Sequence, residues 1–557
     1  MKRIILIICT VIISLCAYSQ SYFQSSLPCE KKSGYNVYGV VECEGSPLKG
    51  VHVSDGYDIV LTDENGCYYL NTKKQNGNIF ITSPSGYDYL CDKGGIQQFW
   101  AKLSKDVNLQ ERHDFCLKLR DQTKYLLVGV SDLHLCKPYG LEQFKSVVMP
   151  QLRKTLKKYR DWPQYTINGG DTSFDKFWYE YNFKIGDARR FLEQVNYPTP
   201  MFLAMGNHDH DSAVAASPDT FFRAEEAFRE TFGPTYYSFN IGQFHYIIFD
   251  NIYYKNTKVK KAAVGAAGKR DYLHYITENQ IEWIKKDLSY VDKSTPVIIC
   301  SHCPLLFYKG LSTKKIFSKF ADGNNLRDFL NLFRDYETHM ISGHSHRRAT
   351  VKLDSMNFTD HNITCILTHR WEKAMDVSAK RHFSGECSPV GYEVIEVDGK
   401  NLKFTFHSIA DGEKKQFRVW DLNSVRDYCI KSQRYETFIE HYKDRWTDFR
   451  TLEDNQILVN VWAWNPKWKV EVIEDGVQLS VTRKRFESPQ YVFYDDIHYT
   501  ADRNHFGKGH SHNTSANMFF AKCTKKKSKI IVRVTDEYGR VYTERFTRPK
   551  KFTPDAQ

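Results

Sequence analysis

Apolar positions in this chain come mostly in short runs, and the runs change character along its length. Residues 35–41, 50–53, 59–62 and 67–70 are strand-length pieces rich in Val, Tyr, Ile and Leu, separated by turn formers such as Asp63-Glu64-Asn65-Gly66. Strands punctuated this way predict a small β-sandwich over residues 35–118. From residue 122 strand-like runs alternate with helix-length segments, the signature of an α/β core that reaches to residue 410. Its strands are predicted at 125–130, 165–167, 201–204, 246–249, 296–299 and 339–341. Helices are predicted at 141–158, 221–231 and 278–288, the last opened by Thr277 as N-cap. Residues 411–452 read as a connector. Residues 453–550 return to short strands at 457–461, 468–473, 477–481, 530–534 and 541–545, which predicts a second β-sandwich. Neither repeats nor low-complexity tracts occur.

The N-terminus adds a destination. Lys2 and Arg3 precede an apolar run over 4–15, and Ala17-Tyr18-Ser19 has the small-residue pattern of a cleavage site. This is the plan of a secretory signal peptide over residues 1–19, with a mature chain starting near Gln20. The run is too short to span a bilayer, and no later stretch is long enough. Lipid attachment at Cys16 fits less well, because Leu15 stands where a small residue is expected. The expectation is export to the periplasm or the medium.

Composition narrows the class further. With 41% hydrophobic and 15% aromatic residues among 557, the chain has ample material for packed cores and is not a disordered polymer. Two of the fourteen cysteines lie in the leader, and the even remainder permits disulfides without specifying them. Cys300 and Cys303 flank His302 in C-x-x-C spacing; they read as small buried residues at a strand end rather than a redox pair. The net charge of +12, part of which leaves with the leader, favours anionic partners. Lys525-Lys526-Lys527 reads as a solvated turn, so no stable nucleic-acid partner is expected.

The chemistry gathers in five motifs, each after a predicted strand: Ser131-Asp132-Leu133-His134, Gly169-Gly170-Asp171, Gly206-Asn207-His208-Asp209, Ser301-His302-Cys303-Pro304 and Gly343-His344-Ser345-His346. Ligands in open α/β sheets collect at the carboxyl ends of strands, so these motifs are expected to meet. Carboxylate, amide and imidazole side chains suit borderline divalent or trivalent metals. Seven donors are too many for one structural zinc and suit two ions sharing a carboxylate. Such a centre activates water near neutral pH and clamps phosphate oxygens.

The ordered set D-x-H, G-D, G-N-H-D, H-x-P and G-H-x-H resembles the calcineurin-like metallophosphoesterases over residues 122–410. Tyr236-Tyr237-Ser238-Phe239 and Gly391-Tyr392 resemble an exported bacterial subset with extra N- and C-terminal β domains. The resemblance implies a four-layer αββα core flanked by two small β-sandwiches. It implies that Asp132, His134 and His346 hold one metal and Asn207, His302 and His344 another, bridged by Asp171. It implies His208 as proton donor or phosphate-orienting group, with Asp209 orienting His208 or holding the loop. The implied ions are Mn, Fe or Zn, and sometimes Ni. The implied reaction is hydrolysis of an anionic phosphate ester by a metal-bridging hydroxide. Phe174 departs from the family, which often carries Asp or Tyr three residues after the bridging Asp; Asp175 follows it. A tyrosinate–iron site is therefore not expected.

Several features compete. Gly509-His510-Ser511-His512 repeats the last motif, but no apolar strand precedes it, and it reads as an exposed loop. The basic, Gly/Ala-rich segment 253–270 reads as a solvated loop, with a mobile lid over an anionic substrate as the alternative. His369-Arg370-Trp371 is a candidate pocket lining. A phosphodiesterase acting on a nucleotide, lipid or cell-wall polymer uses the same core. A surface- or carbohydrate-binding protein with an inactive core is the reading from another class, and the complete ligand set argues against it.

Overall fold

A computed structural model describes residues 23–138, 140–257, 271–367, 383–498, 500–501 and 512–554. The expected leader, residues 258–270 of the basic segment, His369-Arg370-Trp371 and His510 lie outside these.

The run Lys-Tyr-Leu-Leu-Val-Gly-Val of β1 (Lys124–Val130) is apolar on both faces, and the fold uses both. Tyr125 and Leu127 enter one buried cluster; Leu126, Val128 and Val130 enter another. Period-two alternation therefore divides one strand between two layers of core. β1 pairs in parallel with β2 (Gln164–Asn168), and β2 with β3 (Met201–Leu203). Continuing the chain, β4 (Tyr237–Ile241) and β5 (Phe244–Ile248) form a hairpin. β6 (Val297–Cys300), β7 (Thr338–Ser342), β8 (Ala349–Leu353), β9 (Phe358–Asn362), β10 (Gly391–Asp398) and β11 (Asn401–Ser408) complete the core. One sheet has the order β3-β2-β1-β10-β11 and the other β4-β5-β6-β7-β9-β8. They face each other across Tyr125 and Tyr246, whose hydroxyls meet at 2.6 Å, and across Phe202 stacked 3.5 Å from Phe239.

Helices α1 (Met149–Leu156) and α2 (Ile185–Gln194) cover the first sheet, placing Leu152, Leu156, Ala188 and Leu192 against Leu126 and Val128. Helices α3 (Glu278–Leu288) and α4 (Gly323–Asn331) cover the second through Trp283, Ile284 and Phe329. The result is the four-layer αββα core. α3 begins after Thr277 as expected, although the Thr277 hydroxyl takes a hydrogen bond from the Gln280 side chain (3.2 Å) rather than from a backbone amide. The single helix expected at 221–231 is two, Thr220–Ala224 and Glu226–Thr231, broken at the buried Glu225.

Residues before the core form a six-stranded and a four-stranded sheet. They pack on α3 and on the edge of the second core sheet: Trp283 Nε1 donates to Ser54 Oγ at 2.8 Å, Tyr236 OH to the Gly56 carbonyl at 2.7 Å, and the hydroxyls of Thr82 and Ser238 meet at 2.9 Å. After the core come two four-stranded sheets. Residues 411–452 do more than connect. Phe417–Asp421 pairs antiparallel with Gln456–Val461, and two capped helices, Leu422–Lys431 and Gln433–Tyr442, follow it. A five-residue strand whose partner lies a long way downstream leaves no pairing signal in local periodicity. All twelve cysteines among the described residues are unbridged, and Cys300 and Cys303 are buried. The side chains of Lys525, Lys526 and Lys527 are exposed in a turn.

Candidate metal centre

Every motif emerges from the carboxyl end of a core strand: Asp132 and His134 after β1, Asp171 after β2, Asn207 after β3, His302 after β6, His344 and His346 after β7. β1, β2 and β3 run parallel in one sheet, as β5, β6 and β7 do in the other. The strand ends therefore meet, and sequence positions more than two hundred apart become neighbours. The turns are tight. Asp132, His134, Asp171, His344 and His346 all have φ between 46° and 65°. This left-handed region is uncommon for residues with a side chain, and such strain clusters at functional sites. Gly206 must be glycine, since a Cβ there would lie 2.2 Å from both the amide nitrogen and Oδ1 of Asp171.

Asp171 is at the centre. Its Oδ2 lies 3.1 Å from His134 Nε2 and 3.1 Å from His302 Nε2, while its Oδ1 accepts from the His208 amide at 2.7 Å. On one side, His346 Nε2 lies 3.1 Å and His134 Nε2 4.0 Å from Asp132 Oδ1. On the other, Asn207 Oδ1 lies 2.8 Å from His344 Nδ1 and 3.2 Å from His302 Nε2. Apart from the partly exposed His344 and His346, the seven side chains are buried.

The donor set fits a cation. His302 Nδ1 donates to the Gly169 carbonyl at 2.7 Å, which turns the Nε2 lone pair inward. That lone pair faces a carboxylate oxygen and an amide oxygen, an arrangement of acceptors that needs positive charge between them. The electrostatics state the same demand. Burial pushes the Asp171 carboxyl up, but His302 and His208 outweigh it and hold it well below the usual carboxylate range. Burial pulls His302 down, yet the Asp171 charge raises it to about 9. His344 is driven well below the ordinary imidazole range by burial and by His302.

His208 stands at the rim, its Nε2 4.0 Å from Asp171 Oδ2. Its orienting carboxylate is Asp175, whose Oδ1 lies 2.7 Å from His208 Nδ1. Phe174 packs on the His208 ring at 4.0 Å. Asp209 instead holds the loop: it accepts from the amides of Thr172 (3.1 Å), Ser173 (2.8 Å) and Gly206 (3.1 Å). Burial and the Asp171 charge push its carboxyl up to about 6 against those bonds. Sequence reasoning gave Asp175 no firm role, because its only signal was the family departure at Phe174. His274 was missed outright, since it lies in a short strand without a motif. Its ring stands 5.4 Å from that of His344, and burial, Lys319 and His302 lower it to about 4. His512 of the repeated motif pairs with Glu487 at 2.8 Å and packs on Trp446.

The family model of the calcineurin-like phosphoesterases matches residues 125–348, and the models of their N-terminal and C-terminal domains match residues 35–120 and 371–542. The chain belongs to the calcineurin-like phosphoesterases that carry N- and C-terminal extension domains, and it is a phosphoesterase hydrolase. It is similar to a purple acid phosphatase of yellow lupin, Lupinus luteus, at 13% identity over 65% of this chain and 67% of that one, with a TM-score of 0.34. A dimetal phosphatase from Danio rerio is 9% identical over 52% of this chain and 97% of its own, with a TM-score of 0.32. A phosphopantetheinyl hydrolase from Mycobacterium tuberculosis is 12% identical over 44% and 91%, with a TM-score of 0.24. No curated protein matches the chain significantly.

Proposed function

We propose that this chain is an exported, two-metal phosphoesterase in which Asp132, His134 and His346 hold one ion, Asn207, His302 and His344 hold the second, and Asp171 bridges them. The observation that carries this reading is Asp171 Oδ2, equidistant at 3.1 Å from an imidazole nitrogen of each group. When bound, Mn, Fe or Zn ions lower the pKa of water and neutralise phosphoryl charge. The chain's own residues supply the rest. Asp175 fixes the Nδ1 side of His208, so Nε2 points into the site and delivers a proton to the departing alkoxide oxygen. Asp209 keeps the 171–173 and 206–209 turns together, which sets the spacing between Asp171 and Asn207. Export rests on the charged, apolar and small-residue pattern of the first nineteen residues, and the destination is the periplasm or the medium.

The test is reloading of the purified mature chain with Mn, Fe or Zn, followed by assay on a chromogenic phosphate monoester and a diester. Wild type is expected to bind two ions per chain and to turn over at least one ester. Asp171→Ala is expected to lose metal and at least ~10³-fold in kcat/KM, since it removes the carboxylate common to both ions. Full turnover in that variant would sink the bridging assignment.

A further inference from the structure

Beside the metal centre lies a cavity of about 530 Å³, large enough for a nucleotide-sized molecule. His344 and Ser345 of the last metal motif form part of its wall. The opposite wall belongs to the C-terminal sandwich, through Arg483 and Arg485 on strand Val481–Phe486. Arg347, directly after the motif, completes a cationic rim.

These three guanidinium groups are held by neutral acceptors rather than by ion pairs, although the buried Glu386 carboxyl feels the Arg347 charge. Arg483 lies 3.9 Å over the Trp464 ring and donates to the Leu311 carbonyl. Arg485 donates to Thr514 Oγ1 at 3.3 Å and to the Gly310 carbonyl at 3.5 Å, and Arg347 donates to Asn513 Oδ1 at 3.2 Å. Every acceptor is neutral, and none of the three forms an ion pair among the described residues. Arg348 also lines the cavity but is committed to Glu393 at 2.5 Å. The one acidic residue among the described lining is Glu386, which is buried and accepts from Ser388 at 2.9 Å. Arginine forks fixed by carbonyl and amide oxygens are preorganised for phosphate, and bringing like charges together without a counter-charge is costly unless an anion joins them. The exposed run Lys525-Lys526-Lys527, by contrast, lies in a turn and lines no part of this cavity.

We propose that this cavity is a second anion subsite, where Arg347, Arg483 and Arg485 hold a phosphoryl group on the part of the substrate that extends away from the ester being hydrolysed. The substrate is then a small organic bisphosphate rather than a simple monoester, and the C-terminal domain is a specificity element. The inference rests on the two-metal reading above, in which His344 marks where the hydrolysed phosphoryl lies.

The experiment uses the full mature chain with metal loaded, and two matched pairs: adenosine 3′,5′-bisphosphate against adenosine 5′-monophosphate, and a hexose 1,6-bisphosphate against its 6-phosphate. The expected result is a preference of ~10–100-fold in kcat/KM for the bisphosphate in at least one pair, carried mainly by KM. Which pair shows it tells whether the body of the substrate is a nucleoside or a sugar. In Arg483→Ala/Arg485→Ala that ratio is expected to fall at least ~10-fold; Arg485→Gln, at an exposed side chain, repeats the measurement should the double variant not fold. No preference in either pair, or a preference that survives in a folded variant, overturns the subsite while leaving monoester turnover, and hence the reaction, intact. If wild type turns over no ester, the reaction reading fails instead. Calorimetric binding of adenosine 3′,5′-bisphosphate then decides the subsite: weaker binding in the variant supports it and equal binding overturns it.

Discussion

Asp175 shows how much a single carboxylate can matter without touching a substrate. It lies four residues beyond Asp171 and is buried, and its Oδ1 stands 2.7 Å from His208 Nδ1. Fixing one ring nitrogen fixes the direction of the other. Asp175→Asn keeps an acceptor but removes the charge. It is expected to lower kcat ~10–100-fold with KM and metal content near wild type, as outer partners of a site typically do. Kinetics combined with metal analysis checks this; loss of an ion would place Asp175 among the ligands instead. The five candidate site residues with positive φ, Asp132, His134, Asp171, His344 and His346, belong to the same scale. Each accepts a backbone conformation that is costly in isolation, and the surrounding strand ends impose it.

At the scale of elements, the parallel strands bring the motifs together, and their neighbours lock them in place. β11 is tied to the helical segment after α1 by His407, whose Nε2 lies 3.2 Å from Glu413 Oε2, and by Lys158, which pairs with the same carboxylate. The His407 imidazole beside it is the main reason that Glu413 is lowered to about 2, against the opposing effect of burial. Its folded pKa is depressed, so its stabilisation is present above the unfolded value near 4.5 and is lost as pH falls through that value towards 2. Glu413→Gln is accordingly expected to unfold at a lower temperature than wild type at pH 7, with the gap closing between pH 4.5 and pH 2. Thermal melts across that window measure it; a gap that stays constant would show that the contribution is not electrostatic.

At the scale of the whole molecule, the N-terminal sandwich and the catalytic core share one buried cluster, which runs from Val37 and Phe80 through Trp283 to Ile299. Trp283 is its hinge point: it is 1% exposed, lies 5.8 Å from the Phe80 ring and donates to Ser54. The two parts are therefore expected to unfold together. Trp283→Ala is expected to cost ~3–5 kcal/mol, the usual range for emptying an aromatic site in a core. Calorimetry should show the N-terminal sandwich and core moving to lower temperature in one transition; an N-terminal transition left at its wild-type temperature would contradict the shared core.

The division between what was legible in the chain and what was not follows from the range of the forces involved. Six of the eleven core strands and the start of α3 were readable, as were the seven candidate residues that the structure brings together, because strand periodicity, caps and motif spacing are local patterns. The order of the motifs carried the resemblance to the phosphoesterase family, and that resemblance implied the four-layer core. The split of the helix expected at 221–231 was not legible, because Glu225 is buried beside His210 and Asp250, and that grouping is a tertiary fact. The strand Phe417–Asp421 was read as connector for the same reason, since its partner is distant in the chain. By itself the sequence determined which chemistry is present: carboxylate, amide and imidazole donors, each at the end of a strand. The family resemblance already implied Asp171 between the two groups; only the tertiary structure decided that Asp175 rather than Asp209 meets His208, and that arginines of a C-terminal domain face the cavity beside His344. Distances between side chains hundreds of residues apart are set by sheet packing, and no local pattern encodes them.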